Sequence, residues 1–110
     1  MYTLLTIGEN EYKLRLTTRE VVNLEKRIGC NPMTPFMRVE EGIMPEISVL
    51  VAILHASLQK YHHGITFDKC CDLYDDYCEE HGMTEFMLDV VLPLYREAGI
   101  IPKETEENPN

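Results

Sequence analysis

The chain has 110 residues, of which 45% are hydrophobic, 26% charged and 8% aromatic. That is one domain's worth of chain, apolar enough to exclude wholesale disorder and able to bury about two-thirds of its unfolded surface in one modest core. Nineteen acids oppose ten Lys and Arg for a formal charge of −9, which argues against nucleic-acid and acidic-membrane binding unless a local basic patch reverses the field.

Residues 2–7 and 11–16 read as a β-hairpin. The second run alternates, with Tyr12, Leu14 and Leu16 on one face and Glu11, Lys13 and Arg15 on the other. Gly8, Glu9 and Asn10 supply the turn, and the apolar face must lie on helices, because two strands alone are marginal. The basic cluster Lys13, Arg15, Arg19, Lys26 and Arg27 is diluted by Glu11, Glu20 and Glu25. Thr17 and Glu20 match a capping box, opening a helix that carries Val21, Leu24 and Ile28 and stops at Gly29.

An irregular stretch with Pro32 and Pro35 follows, and a short helix is expected over residues 35–41, ended by Gly42. Pro45 is placed as the first residue of a helix over about residues 46–61, apolar nearly all round and therefore central, with Gly64 closing it. Thr66 caps a helix over residues 67–81, ended by Gly82. Its outer face holds Asp68, Asp72, Asp75, Asp76, Glu79 and Glu80, and its inner face Phe67, Cys70, Cys71, Tyr74, Tyr77 and Cys78. Thr84 is placed as the cap of a last helix to about Ala98, ended by Gly99 and kinked or weakened by Pro93. The fold class is α+β, an N-terminal hairpin packed on four to five helices. Residues 1–100 form the domain and residues 101–110 a disordered acidic tail.

Little here points to catalysis. The cysteines Cys30, Cys70, Cys71 and Cys78 are poorly spaced for disulfides and read as reduced core thiols. Cys71, Cys78 and His81 are the best metal candidates, but their spacing departs from the paired ligands of structural zinc sites, so no metal is expected. The pair Cys78 and His81 suggests a nucleophile by composition only, and the acid pairs Asp75–Asp76 and Glu79–Glu80 read as a solvated face. No phosphate loop or dinucleotide fingerprint is present, so neither an enzyme nor a cofactor is expected. No apolar run approaches the ~20 residues of a membrane span and no secretory signal opens the chain, which points to the cytoplasm. Met33, Phe36, Met37, Val39, Ile43 and Met44 form an adaptable apolar cluster that reads either as core filling or as a partner-binding surface.

The order of these signals is itself informative. Residues 12–18 lead into a helix carrying Leu24 and Glu25 and ending at Ile28 and Gly29. A stretch with Pro32, Met33 and Phe36 runs to Pro45. Then come an apolar helix closing on residues 55–58 and an acidic helix with Leu73 and Tyr77. This layout, over about residues 3–99, resembles the tail assembly chaperones of long-tailed bacteriophages and prophages and related gene-transfer-agent tail proteins. The resemblance implies a non-enzymatic protein that binds the tape measure protein before the tail tube polymerises, with a homo-oligomer left open. Asp at Phe36 and Met37 is then expected to weaken that binding while the domain stays folded. The alternative is an acidic DNA mimic or inhibitor that occupies a host nucleic-acid-binding protein.

Overall fold

The computed structural model describes residues 1–102. It is an α+β fold: a two-stranded antiparallel hairpin at the N-terminus followed by five helices. The predicted disordered acidic tail falls almost wholly on residues 103–110, outside the described residues. Ile101, placed in that tail by sequence, packs instead against the core.

Strand β1 (Thr3–Ile7) pairs with β2 (Asn10–Leu14), with Thr3 opposite Leu14 and Ile7 opposite Asn10. The expected three-residue turn is therefore two residues long, Gly8 and Glu9, because Asn10 already pairs. Gly8 supplies the positive φ, +61°, that so tight a reversal requires. Leu5, Ile7 and Leu14 turn inward and are buried, and Leu16 beyond the strand joins them. The outer edge of β2 is partly covered: His62 Nε2 accepts from Lys13 N–H at 3.1 Å, and the carbonyl of Ser57 accepts from Arg15 N–H at 2.8 Å.

Helix α1 (Thr18–Ile28) starts as its sequence dictates, with Thr17 Oγ1 accepting from the Glu20 N–H, and ends at Gly29 with φ +81°. Leu24 is its fully buried residue, flanked by half-buried Val21 and Ile28. Helix α2 (Ile47–Leu58) is the centre of the molecule. It packs against α1, α3 and β2 and buries Leu50, Val51, Ala52, Ile53, Leu54, Ala56, Ser57 and Leu58. Each fully buried Leu or Ile there contributes about 1.5–3 kcal/mol over its exposed state. Ser57, the buried polar residue among them, donates Oγ–H to the Leu54 carbonyl at 2.9 Å.

This helix is shorter than predicted at both ends. Its first residue is Ile47, not Pro45, with Glu46 as N-cap, and it stops at Leu58. The chain then folds back through a turn that Gln59 holds: its Nε2 donates to the carbonyls of His55 and Ile65, and its Oε1 accepts from Gly64 N–H. Helix α3 (Phe67–Glu80) has Thr66 Oγ1 accepting from Lys69 N–H. It buries Cys70, Leu73, Tyr74 and Tyr77, while Phe67, Cys71 and Cys78 are half-buried at the edge of the core.

The last helical run differs most from the sequence expectation. It begins at Met83 with Gly82, not Thr84, as N-cap, and comprises α4 (Met83–Phe86), a π turn (Met87–Val91) and α5 (Leu92–Ala98). The Leu92 N–H reaches back five residues to the Met87 carbonyl. Pro93 follows at once, with no N–H to give and a ring that would strike the carbonyl of residue 89 in an ordinary turn. Widening the preceding turn relieves that clash, so the expected kink becomes a π bulge. Phe86, Val90, Val91, Leu94 and Tyr95 pack inward. Among the described residues no helix is long and apolar enough to cross a membrane.

Candidate functional site: an apolar cleft beside the π turn

The irregular stretch after α1 does not form the short helix predicted over residues 35–41. It makes two separate 3-10 turns, Thr34–Phe36 and Val39–Glu41, divided at Arg38, whose backbone leaves helical geometry at φ −110° and ψ 11°. Asn31 Oδ1 accepts from Met33 N–H at 2.8 Å, and its carbonyl accepts from Thr34 N–H. What anchors the stretch to the domain is Tyr95 of α5. Its hydroxyl donates to the Pro32 carbonyl at 3.0 Å in the interior, and the Phe36 ring meets its edge at 5.7 Å. Burial, with Cys30 adding to it, pushes the Tyr95 hydroxyl far above its ordinary pKa, so it remains a donor.

Between this stretch and the last helical run lies a cleft of about 210 Å³. Met33, Phe36 and Val39 form one wall, Met87, Leu88, Val91 and Leu92 the other, and Tyr95 and Ile101 complete it. The space suits one or two aliphatic side chains. Leu88 stands 58% exposed at the lip although apolar. Met87 and Leu88 share their helix face with Val91 and Leu92, four residues on, and the four line the cleft while Val90 and Leu94 face the core.

The predicted cluster thus divides. Met33, Phe36 and Val39 line the cleft. Met37, Ile43 and Met44 do not line it; they are exposed on the surrounding surface at 69%, 45% and 41%. Phe36 is half-buried against Tyr95, so Asp at this position is expected to loosen the stretch from the domain, whereas exposed Met37 can be changed without that cost. The far wall was missed from sequence. Its signal was an excess: Met87, Leu88, Val90, Val91, Leu92, Leu94 and Tyr95 are more apolar residues than one core-facing stripe can absorb.

Other polar surfaces are distinct from this cleft. The space between α1 and α2 is lined by Glu20, Asn23, Arg27, His55 and Gln59. Burial first, and the Arg27 guanidinium second, hold the His55 pKa below its ordinary value. Arg27 and His55 also meet the Phe67 ring, at 4.5 Å and 5.9 Å. On the outer face of the hairpin, Lys13 lies 4.9 Å from the Tyr2 ring and 5.8 Å from that of Tyr61.

The metal and nucleophile candidates suggested by residue type are engaged elsewhere. His81 Nδ1 sits 2.9 Å from Glu85 Oε2, and its ring packs 4.6 Å from Tyr77. Cys78 faces the Tyr74 hydroxyl, and burial with this neighbour raises the tyrosine pKa. Burial pushes the Cys70 thiol up to about 11 and the Tyr77 hydroxyl up to about 12. All four cysteines are free thiols. Among the described residues no group of three or more His, Cys, Asp and Glu is arranged to hold a metal ion.

The fold and this cleft define a small α+β domain with an open apolar recess at one end. Residues 2–109 match the family described as "Family of unknown function (DUF6096)", and the chain belongs to that family. No curated protein and no solved structure matches the chain.

Proposed function

We propose that the protein acts by binding, without catalysis, and shields an apolar helical surface of another protein. Its resemblance to tail assembly chaperones makes the tape measure protein, in the host bacterial cytoplasm, the specific partner we propose. The observation that carries the reading is the apolar cleft, with Leu88 exposed at its lip and Met37 exposed nearby. A long helical chain with an apolar face aggregates when bare, and methionine-rich surfaces adapt to many apolar shapes. The −9 charge would keep loaded complexes apart.

The test is co-expression of the full chain with a tape measure protein encoded beside it, followed by capture. The Met37→Asp, Leu88→Asp double variant is expected to fold normally and to lose capture. Unchanged capture in that variant refutes the cleft as the binding surface.

The DNA-mimic alternative draws on the exposed acids of α3, Asp68, Asp72, Asp75, Asp76, Glu79 and Glu80. A helix of 14 residues is about 20 Å long, and a DNA duplex carries about twelve phosphates in that length, twice what this row supplies. Binding that collapses with rising salt regardless of cleft substitutions would favour the mimic.

A further inference from the structure

We propose that the segment received by the cleft is an amphipathic helix whose apolar stripe is edged by Lys or Arg. The inference rests on the protein-binding reading above and names the chemistry of its partner. The recess itself is apolar, with Met33 and Phe36 facing Met87 and Val91. The residues beside it are acidic. Asp89 follows Leu88 on the same helical run, Glu40 follows Val39 on the opposite wall, and both are exposed; Glu85, three residues before Leu88, is exposed too but already meets His81 at 2.9 Å. The cation of that wall, Arg38, is already paired with Glu41 at 3.2 Å.

Charge therefore selects among occupants. A second copy of this chain would bring another −9 and the same acidic rim. Residues 103–110 carry Glu104, Glu106 and Glu107 against Lys103 and include no large apolar side chain, so they offer neither the stripe nor the positive edge. An apolar helix flanked by Lys or Arg offers both. Met33 and Met87, unbranched and pliable, let the recess accept different side chains, so selection falls on the stripe and its edges rather than on one sequence.

Three synthetic helical peptides of equal length test this against the intact chain by isothermal titration. One has a Leu stripe edged by Lys, one the same stripe edged by Glu, and one Lys edges with Ser replacing the stripe. The Lys-edged Leu peptide is expected to bind about tenfold more tightly than the Glu-edged one. That gap should close in the Glu40→Lys, Asp89→Lys variant. It should persist in Asp76→Lys, Glu79→Lys, which makes the same change in net charge beside the hairpin turn. Equal affinity for the two Leu peptides, or a gap that closes to the same extent in both variants, overturns the inference and leaves the binding reading standing. Failure of both Leu peptides to bind, or binding of the Ser peptide as tightly as the Lys-edged Leu peptide, overturns the reading and the inference together.

Discussion

Helix α2 and the cleft are both rich in apolar side chains, yet they treat them in opposite ways. In α2 the residues Leu50 to Leu54 are all buried, covered on different sides by α1, α3 and β2. At the cleft, Met33, Phe36, Met87 and Leu88 are covered on one side only, and the backbone holding them is two 3-10 turns and a π turn. Regular helix with neighbours on every side consumes its hydrophobicity in folding. Irregular backbone pinned through one tyrosine leaves apolar area available to another chain. The lesson is that the first region sets stability and the second, on the function we propose, sets what can be bound.

Several substitutions would break or sharpen that contrast. The largest effect is expected in α2: Leu54→Ala should cost about 2–5 kcal/mol of stability in urea unfolding, because the surrounding helices cannot close the void. A loss below ~1 kcal/mol would mean that α2 is not the tightly filled centre. Next comes the pin between the two regions. Tyr95→Phe should cost about 1–3 kcal/mol, since it leaves the Pro32 carbonyl buried without its donor. It should also raise amide exchange at residues 33–41 more than in α2.

On the cleft itself, Leu88→Asp should move stability by no more than ~0.5 kcal/mol, as expected for an exposed position. It should nonetheless abolish peptide binding, whereas a matched loss of stability would place Leu88 in the core. The smallest effect concerns pH. The folded state holds the His55 pKa below its unfolded value, so it resists protonation that the unfolded chain accepts. Stability contributed by neutral His55 is complete above the unfolded pKa and falls as pH drops from about 6.5 toward the lower folded value. The melting temperature should therefore decline slightly from pH 7 to pH 5, and His55→Gln should flatten that decline.

Much of this was legible in the sequence where one local signal dominates. Thr17 and Gly29 bound α1, Thr66 opens α3, alternation exposes the hairpin, and the all-round apolar pattern puts α2 at the centre. The failures fall where two signals compete. Residues 35–41 carry helix-start chemistry, but the backbone leaves helical geometry at Arg38 and divides the stretch into two short pieces. Pro93 announces a disturbed helix, yet whether the backbone kinks or widens depends on packing that is not local. Half of the cleft was visible as the methionine-rich cluster. The other half lies more than forty residues away and meets it through the Tyr95–Pro32 hydrogen bond, a pairing with no signature in spacing.

The wide turn at Met87–Val91 has a consequence for how this chain tolerates change in length. It is equivalent to one surplus residue wound into an α-helix. Deleting Asp89 would take that surplus out, so the residues beyond it would keep their orientation about the axis while Pro93 lost the wide turn that makes room for its ring. Tyr95 would keep its place under Pro32, and the strain would fall on Met87 to Val91, the wall of the recess. A protein differing from this one only by that missing residue would keep its hairpin, central helix and tyrosine pin, and would be reshaped only along one side of the mouth through which we propose it grips a partner.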